Sequence, residues 1–281
     1  MRYTLLLLIF CATQLHSQEA RYTREDSIKV CRMLDKLEKC SDKKTSELLV
    51  SAGTLFLGTP YAGSTLDKYK EEKPTIDIGE VDCTTFVEQS LALAMTIRQG
   101  KKDFGTFCDN LRTLRYRNGI CDSYSDRLHY FSQWTKEGEK NGILKEVSGK
   151  GFSARQRLDL CFMSRNPDKY IQLKQDSALT AAIARHERPF RGTTIPYLPK
   201  ALLGRSKKQL PVHDGDIIAL VTDIKGLDVT HMGIAIWKKG RLHMMHASYK
   251  EKKVILDTLS LHDYLAPRKS APGIRVVRVK K

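Results

Sequence analysis

The stretch "HMGIAIWKKGRLHMMHAS", residues 231–248, reads as two strands joined by a two-residue turn at Lys239-Gly240. A glycine in the second turn position suits a primed hairpin turn. Such a turn pairs Lys238 with Arg241 and thereby sets every pair further out. His231 then falls opposite Ser248. His246 becomes its diagonal neighbour on the same face, about 7 Å away by ordinary sheet spacing. His243 is separated from His246 by an odd number of residues, so it points to the other face. One face carries two histidines at the same end of adjacent strands.

The flanking segments extend this sheet. "GDIIALVT" from Gly215, "KVILDTL" from Lys253 and "GIRVVRVK" from Gly273 are rich in β-branched residues and bounded by turns, so 214–280 reads as an antiparallel β-meander. Upstream the pattern is helical. Residues 22–57 hold "SIKVCRMLDKLEKC" and "TSELLVSAGTLFLG"; residues 83–99, "CTTFVEQSLALAMTIRQ", form the clearest helix and stop at Gly100. An insertion spans about 101–210. Its first part, 104–146, reads as helical. Residues 150–210, punctuated by Pro167, Pro189, Pro196 and Pro199, read as irregular, an elaboration rather than a second core. Helices first and strands after predict an α+β fold, with 18–281 as one domain.

Cys83 sits where the clearest helix begins. Asp82 can cap that helix, and Thr85 with Glu88 offers an alternative capping pair. The first-turn amides and the helix dipole favour a thiolate, so a lowered pKa is expected. A nucleophilic thiol needs a base, and the base needs an orienting group. His231 and His246 supply both in the most economical reading: Cys83 as nucleophile, His231 as general base and then acid, His246 as orienter. A zinc site built from His231, His243 and His246 conflicts with the opposite facing of His243.

The remaining composition narrows the setting. The 281 residues carry a net charge of +16, but the lysine pairs are scattered. No basic block interleaved with aromatics appears, which argues against a nucleic-acid partner. "MRYTLLLLIFCATQLHS", residues 1–17, has a basic start, a short apolar core and a small-residue end. It reads as a secretory signal peptide, too short for a membrane span. Cys11 follows Phe10 rather than a small residue, which opposes a lipid anchor. No later segment is long and apolar enough to cross a bilayer. Export to the periplasm is therefore expected, as a monomer without a transmembrane segment. Six cysteines remain beyond the leader; none shows CxxC or Cys/His zinc spacing, and if Cys83 is a reactive thiol the other five cannot all pair.

"GTPYAGSTLD", "VDCTTFVE", "HDGDIIALV" and "HMGIAIW…HMMHAS", in that order, resemble the NlpC-type papain-like cell-wall cysteine hydrolases. The departure is "DCTT", where the common pattern has Cys-Ser-Gly. The insertion, with "SDRLHYFSQW", looks like the N-acetylmuramoyl-L-alanine amidase-like branch, formerly of unknown function. The resemblance implies a papain-like fold, no cofactor and no metal, and peptidoglycan fragments (anionic muropeptides) as substrate. It also implies that Cys83, His231 and His246 are catalytic, and that Tyr61 and Asp82 lie at the substrate. Arg127, Tyr130 and Trp134, spaced three and four apart, are expected on one helix face, suited to a sugar ring or a stem-peptide carboxylate. The alternatives are a D-Glu–diamino-acid endopeptidase of the same fold and a non-catalytic peptidoglycan-binding module.

Overall fold

The computed structural model describes residues 20–280, so the leader at 1–17 and Cys11 lie outside the described residues. Helix α1 (Arg24–Glu38) starts at Thr23, whose hydroxyl accepts from the Asp26 amide at 3.1 Å while the Asp26 carboxylate accepts from the Thr23 amide at 2.9 Å. Helix α2 (Thr45–Thr54) follows, then α3 (Cys83–Arg98) and α4 (Phe104–Arg115). Every residue of α3 from Thr85 to Ala94 is buried. A helix enclosed on all sides shows no amphipathic stripe; α3 is covered by α1, α2, α4 and the sheet.

Its buried carboxylate, Glu88, has a specific partner. Arg115 Nε donates to Glu88 Oε2 at 2.8 Å, and Arg115 Nη1 donates to the Thr75 carbonyl at 2.6 Å. Glu88 therefore serves this pair, and the cap of α3 belongs to Asp82 and Thr85 alone: the Thr85 amide donates to Asp82 Oδ1 at 2.8 Å and the Asp82 amide to Thr85 Oγ1 at 2.9 Å.

The sheet comprises β1 (Leu144–Glu146), β2 (Ala154–Arg157), β3 (Thr194–Pro199), β4 (Ile217–Val221), β5 (Val229–Lys238), β6 (Arg241–Ser248), β7 (Lys253–Leu256) and β8 (Gly273–Val279). All pairings are antiparallel, in the order β2-β3-β8-β4-β5-β6-β7, with β1 also on β8. The α+β expectation holds. The five C-terminal strands are not a simple meander, however: after β7 the chain passes through α8 (Leu261–Leu265) and returns β8 to pair with β4. Alternate residues face two cores. Met232, Ile234, Met245 and Ala247 pack under α1–α4, whereas Ala235, Leu242, Met244 and Val276 pack with α8.

The insertion departs further from expectation. Residues 116–130 are not helical; two short turns separate α4 from α5 (Phe131–Lys140). Residues 150–210 are not merely irregular either. Strands β2 and β3 join the main sheet, and α6 (Phe162–Arg165) and α7 (Ser177–Glu187) accompany a small core of their own, including Tyr124, Leu160, Met163, Leu173 and Ile183. Prolines break long patterns but tolerate positions with a ladder on one side only: in β3, Pro196 pairs only with β2 and Pro199 only with β8.

Replacing Arg115 with Met would leave the Glu88 carboxylate buried without its cation. A loss of about 3–5 kcal/mol is expected, read as a lower urea midpoint. The double variant with Glu88→Gln should lose less than the sum of the two single changes.

Candidate active site

The hairpin register is the one the turn dictates. Lys239 and Gly240 have φ of 49° and 74°, and pairing runs from Lys238↔Arg241 to Ile234↔Met245. There the ladder ends, and the histidines lie beyond it. His231 Nε2 and His246 Nδ1 are 2.7 Å apart, with the rings edge to face. His246 Nε2 lies 3.3 Å from Asp257 Oδ2.

These contacts set the tautomers. Asp257, as a carboxylate, accepts the Nε2–H of His246. His246 Nδ1 then carries the lone pair and accepts from Nε2–H of His231. That leaves Nδ1 of His231 as its free basic nitrogen. Asp257 was not among the sequence candidates. It could have been found from a second register: β6 pairs with β7 as His246↔Ile255, which puts Asp257 on the face of His246, two residues away.

Cys83 enters from α3. Ala235 donates its amide toward the β4 side, to Asp216 O at 2.8 Å. By strand alternation the Met232 amide points toward β6, where the ladder has already ended. The Cys83 sulfur lies close enough to this amide for it to favour the thiolate. The thiol therefore abuts the backbone of the residue after His231, and Cys83 and His231 line one cavity of about 130 Å³. Thr84 Oγ1 is 4.0 Å from Sγ and lines the same cavity. The "TT" after the cysteine thus has two separate jobs: Thr84 faces the thiol and Thr85 closes the cap.

The expected fall in the Cys83 pKa does not occur. Burial, followed by the Asp82 carboxylate, pushes the thiol up to about 12, against smaller contributions from the Met232 amide, the Thr84 hydroxyl and its own amide. Burial, then His246 and Arg268, lowers His231 to about 3. The helix N-terminus is outweighed by desolvation. At neutral pH the resting site holds a thiol and a neutral imidazole.

The other sequence candidates divide. Tyr61 is half-buried; burial raises its pKa, and Cys83 and Asp82 add to the rise. The Asp82 carboxylate is occupied by its cap. Tyr130 and Trp134 line the cavity with Cys83, but Tyr130 precedes α5 instead of sharing its face. Its hydroxyl donates to Glu187 Oε1 at 2.6 Å and accepts from the Met163 amide at 2.9 Å. Arg127 is outside the cavity and buried; its guanidinium pairs with Asp67 and lies 3.5 Å from Glu72. It is consumed by the Tyr61–Thr75 segment and is not left for a ligand. His243 faces away as expected, its Nδ1 3.0 Å from the Asp257 carbonyl. All six cysteines of the described residues are free thiols.

Residues 51–274 match the AmiA-like family, described as N-acetylmuramoyl-L-alanine amidase-like. The chain belongs to that family. A solved N-acetylmuramoyl-L-alanine amidase from Bacteroides uniformis is similar at 38% identity, covering 85% of this chain and 100% of that one, with a TM-score of 0.80. A Bacteroides fragilis structure that carries the provisional name of xylanase is 43% identical over 81% of this chain and 99% of its own, with a TM-score of 0.76. A Legionella pneumophila protein at 21% identity, covering 92% of this chain and 95% of its own, shares the fold with a TM-score of 0.67. No protein of curated function matches the chain. Among the described residues no helix of this amidase-like protein is long and apolar enough to cross a membrane.

A raised thiol pKa has a definite signature. The thiolate fraction then grows about tenfold per pH unit through neutrality and does not saturate there. Alkylation of Cys83 by iodoacetamide should keep climbing from pH 6 to pH 9. A preformed thiolate–imidazolium pair would instead give a flat rate across that range.

Proposed function

We propose that this protein is an exported cysteine amidase that hydrolyses the N-acetylmuramoyl-L-alanine amide bond of muropeptides in cell-wall turnover. The observation that carries the reading is the relay Asp257–His246–His231, whose His231 lines one cavity with a helix-start thiol. Membership of the amidase-like family supports the choice of bond. The leader-like residues 1–17 support export.

Each step follows from the positions. His231 Nδ1 takes the thiol proton as Cys83 Sγ attacks the lactyl carbonyl carbon. Because both partners rest neutral, proton transfer accompanies attack, and the substrate completes the dehydration of the cavity. Charge on His231 is then stabilised through His246 to Asp257, much as a buried carboxylate supports imidazolium in a triad. The oxyanion can be met by the first-turn amides of α3 and by the Tyr61 hydroxyl. The C–N bond breaks as His231 returns its proton to the L-alanine amine, leaving a thioester. Water, deprotonated by His231, attacks the thioester and restores the thiol.

The xylanase name attached to one relative suggests a glycosidase. That chemistry needs two carboxylates flanking the scissile bond. The cavity at Cys83 offers one, Asp228, and it is occupied by the Ser132 amide at 2.6 Å, the Val229 amide at 2.9 Å and Arg275 at 3.7 Å.

Mass spectrometry of defined muropeptides treated with the protein decides the bond. Disaccharide and an intact L-alanyl peptide are expected, and Cys83→Ala should yield neither. A sugar still carrying a dipeptide would assign the D-Glu–diamino-acid bond instead; turnover by Cys83→Ala would remove the thiol from the chemistry.

Asp257→Asn tests the relay. Loss of the carboxylate lets the amide present a donor to His246 and reverses the tautomer chain. A fall in kcat of about 10²-fold or more is expected with KM little changed.

A further inference from the structure

A second and larger space opens on the other side of the relay. It is a groove of about 970 Å³ that includes Tyr249, Lys250, Tyr264 and Arg268 in its lining. It shares only Thr230 and His231 with the cavity at Cys83. A substrate reacting at Cys83 would therefore extend past His231 into this groove.

The charged residues of the groove are not equivalent. Asp257 is occupied by His246. Asp263 accepts from Ser260 Oγ at 2.6 Å and lies 3.7 Å from Arg241. Glu251 and Lys250 lie 3.8 Å apart, and Lys250 projects into solvent. Arg268 differs from these. It is half-buried, and its guanidinium carbon rests 3.6 Å above the centre of the Tyr264 ring. Tyr264 in turn meets His246 edge to face, with ring centres 5.6 Å apart. Arg268 Nη1 donates to the Tyr264 carbonyl. Among the described residues the guanidinium has no carboxylate partner. One edge of the fork is thus fixed by the backbone and its plane by the ring, while the Nε–Nη2 edge is uncommitted. That edge is the one that grips a carboxylate with two parallel hydrogen bonds.

We propose that Arg268 is the carboxylate receptor of the substrate and that the groove holds the peptide half. This rests on the amidase reading above. In a muramoyl amide the lactyl carboxyl is blocked, so the sugar half is neutral and the carboxylates lie on the stem peptide. A stacked guanidinium loses little freedom when it binds and needs no second cation. The role expected for Arg127 from the sequence falls to a residue in a different part of the chain.

The test compares N-acetylmuramoyl-L-alanyl-D-glutamate with its fully carboxyl-amidated form. Wild type should favour the free acid through KM by about 10- to 100-fold, the range for a charge-assisted pair. Arg268→Gln should raise KM for the acid to that of the amide, with kcat little changed and the KM of the amidated substrate unaffected. Arg268→Lys should recover part of the preference. Equal losses on both substrates would show that Arg268 acts through His231 instead. No loss at all would overturn the proposal.

A second readout does not depend on cleavage. Calorimetry of free L-alanyl-D-glutamate with Cys83→Ala should show binding that Arg268→Gln weakens about tenfold or more, at an unchanged melting temperature. If wild type cleaves no muramoyl amide yet this binding behaves as stated, the bond assignment fails and the receptor stands. If cleavage occurs and this binding is indifferent to Arg268, the receptor fails alone.

Discussion

The end of the β5–β6 ladder at Ile234↔Met245 is the constraint on which the site depends. Where the ladder stops, the Met232 amide stands near the Cys83 sulfur and works against the rise that burial imposes on its pKa. Beyond the same point His231 Nε2 and His246 Nδ1 lie 2.7 Å apart. Gly233 permits it. A Cβ at Gly233 would stand 2.7 Å from the Met245 carbonyl oxygen and 3.0 Å from the His246 Cβ. The glycine in "HMG" is therefore a packing requirement of the histidine pair, and the motif is one unit of geometry.

Much of this was legible because a two-residue turn is a strong local rule. Positive φ at Lys239 and Gly240 specifies the register, and the register specifies which histidines share a face. The start of α3 was legible for a similar reason: a carboxylate before a helix has an amide within reach, whatever the rest of the chain does. Asp257 was harder to see because it needs a second register, across the turn between β6 and β7, where Lys252 also adopts positive φ. The placement of β8 beside β4 had no local signal, since the return passes through α8 and depends on which sheet edge is open.

The misread elements fail for nonlocal reasons. The spacing of Arg127, Tyr130 and Trp134 fits a helix face, yet Arg127 forms an antiparallel bridge with Tyr116 and buries its charge against Asp67 and Glu72. Ion pairing across 60 residues outweighs a helical preference of a few tenths of a kcal/mol per residue. The pairing has a consequence for the site. Asp67 and Glu72 belong to the segment that follows Tyr61, and Glu72 accepts from the Tyr116 hydroxyl at 2.8 Å. The insertion thus braces the segment that follows Tyr61.

The thiol pKa was the other expectation to fail, and for an instructive reason. A helix N-terminus offers a few tenths to about 1 kcal/mol to an exposed anion. Burial of the same group can shift a pKa by several units in the opposite direction. Asp82 adds to that burden, because the residue that caps the helix is itself an anion beside the sulfur. The cap holds the Thr85 amide, and the amides that favour the thiolate are those of Met232 and Cys83 itself. A site built this way keeps its sulfur protonated until a base with a free lone pair and a carbonyl carbon are both in place. His231 can be that base because its other nitrogen is tied through His246 to Asp257, so the proton it accepts has a carboxylate to stabilise it. Protection of the resting thiol and activation of the bound one are then consequences of a single arrangement.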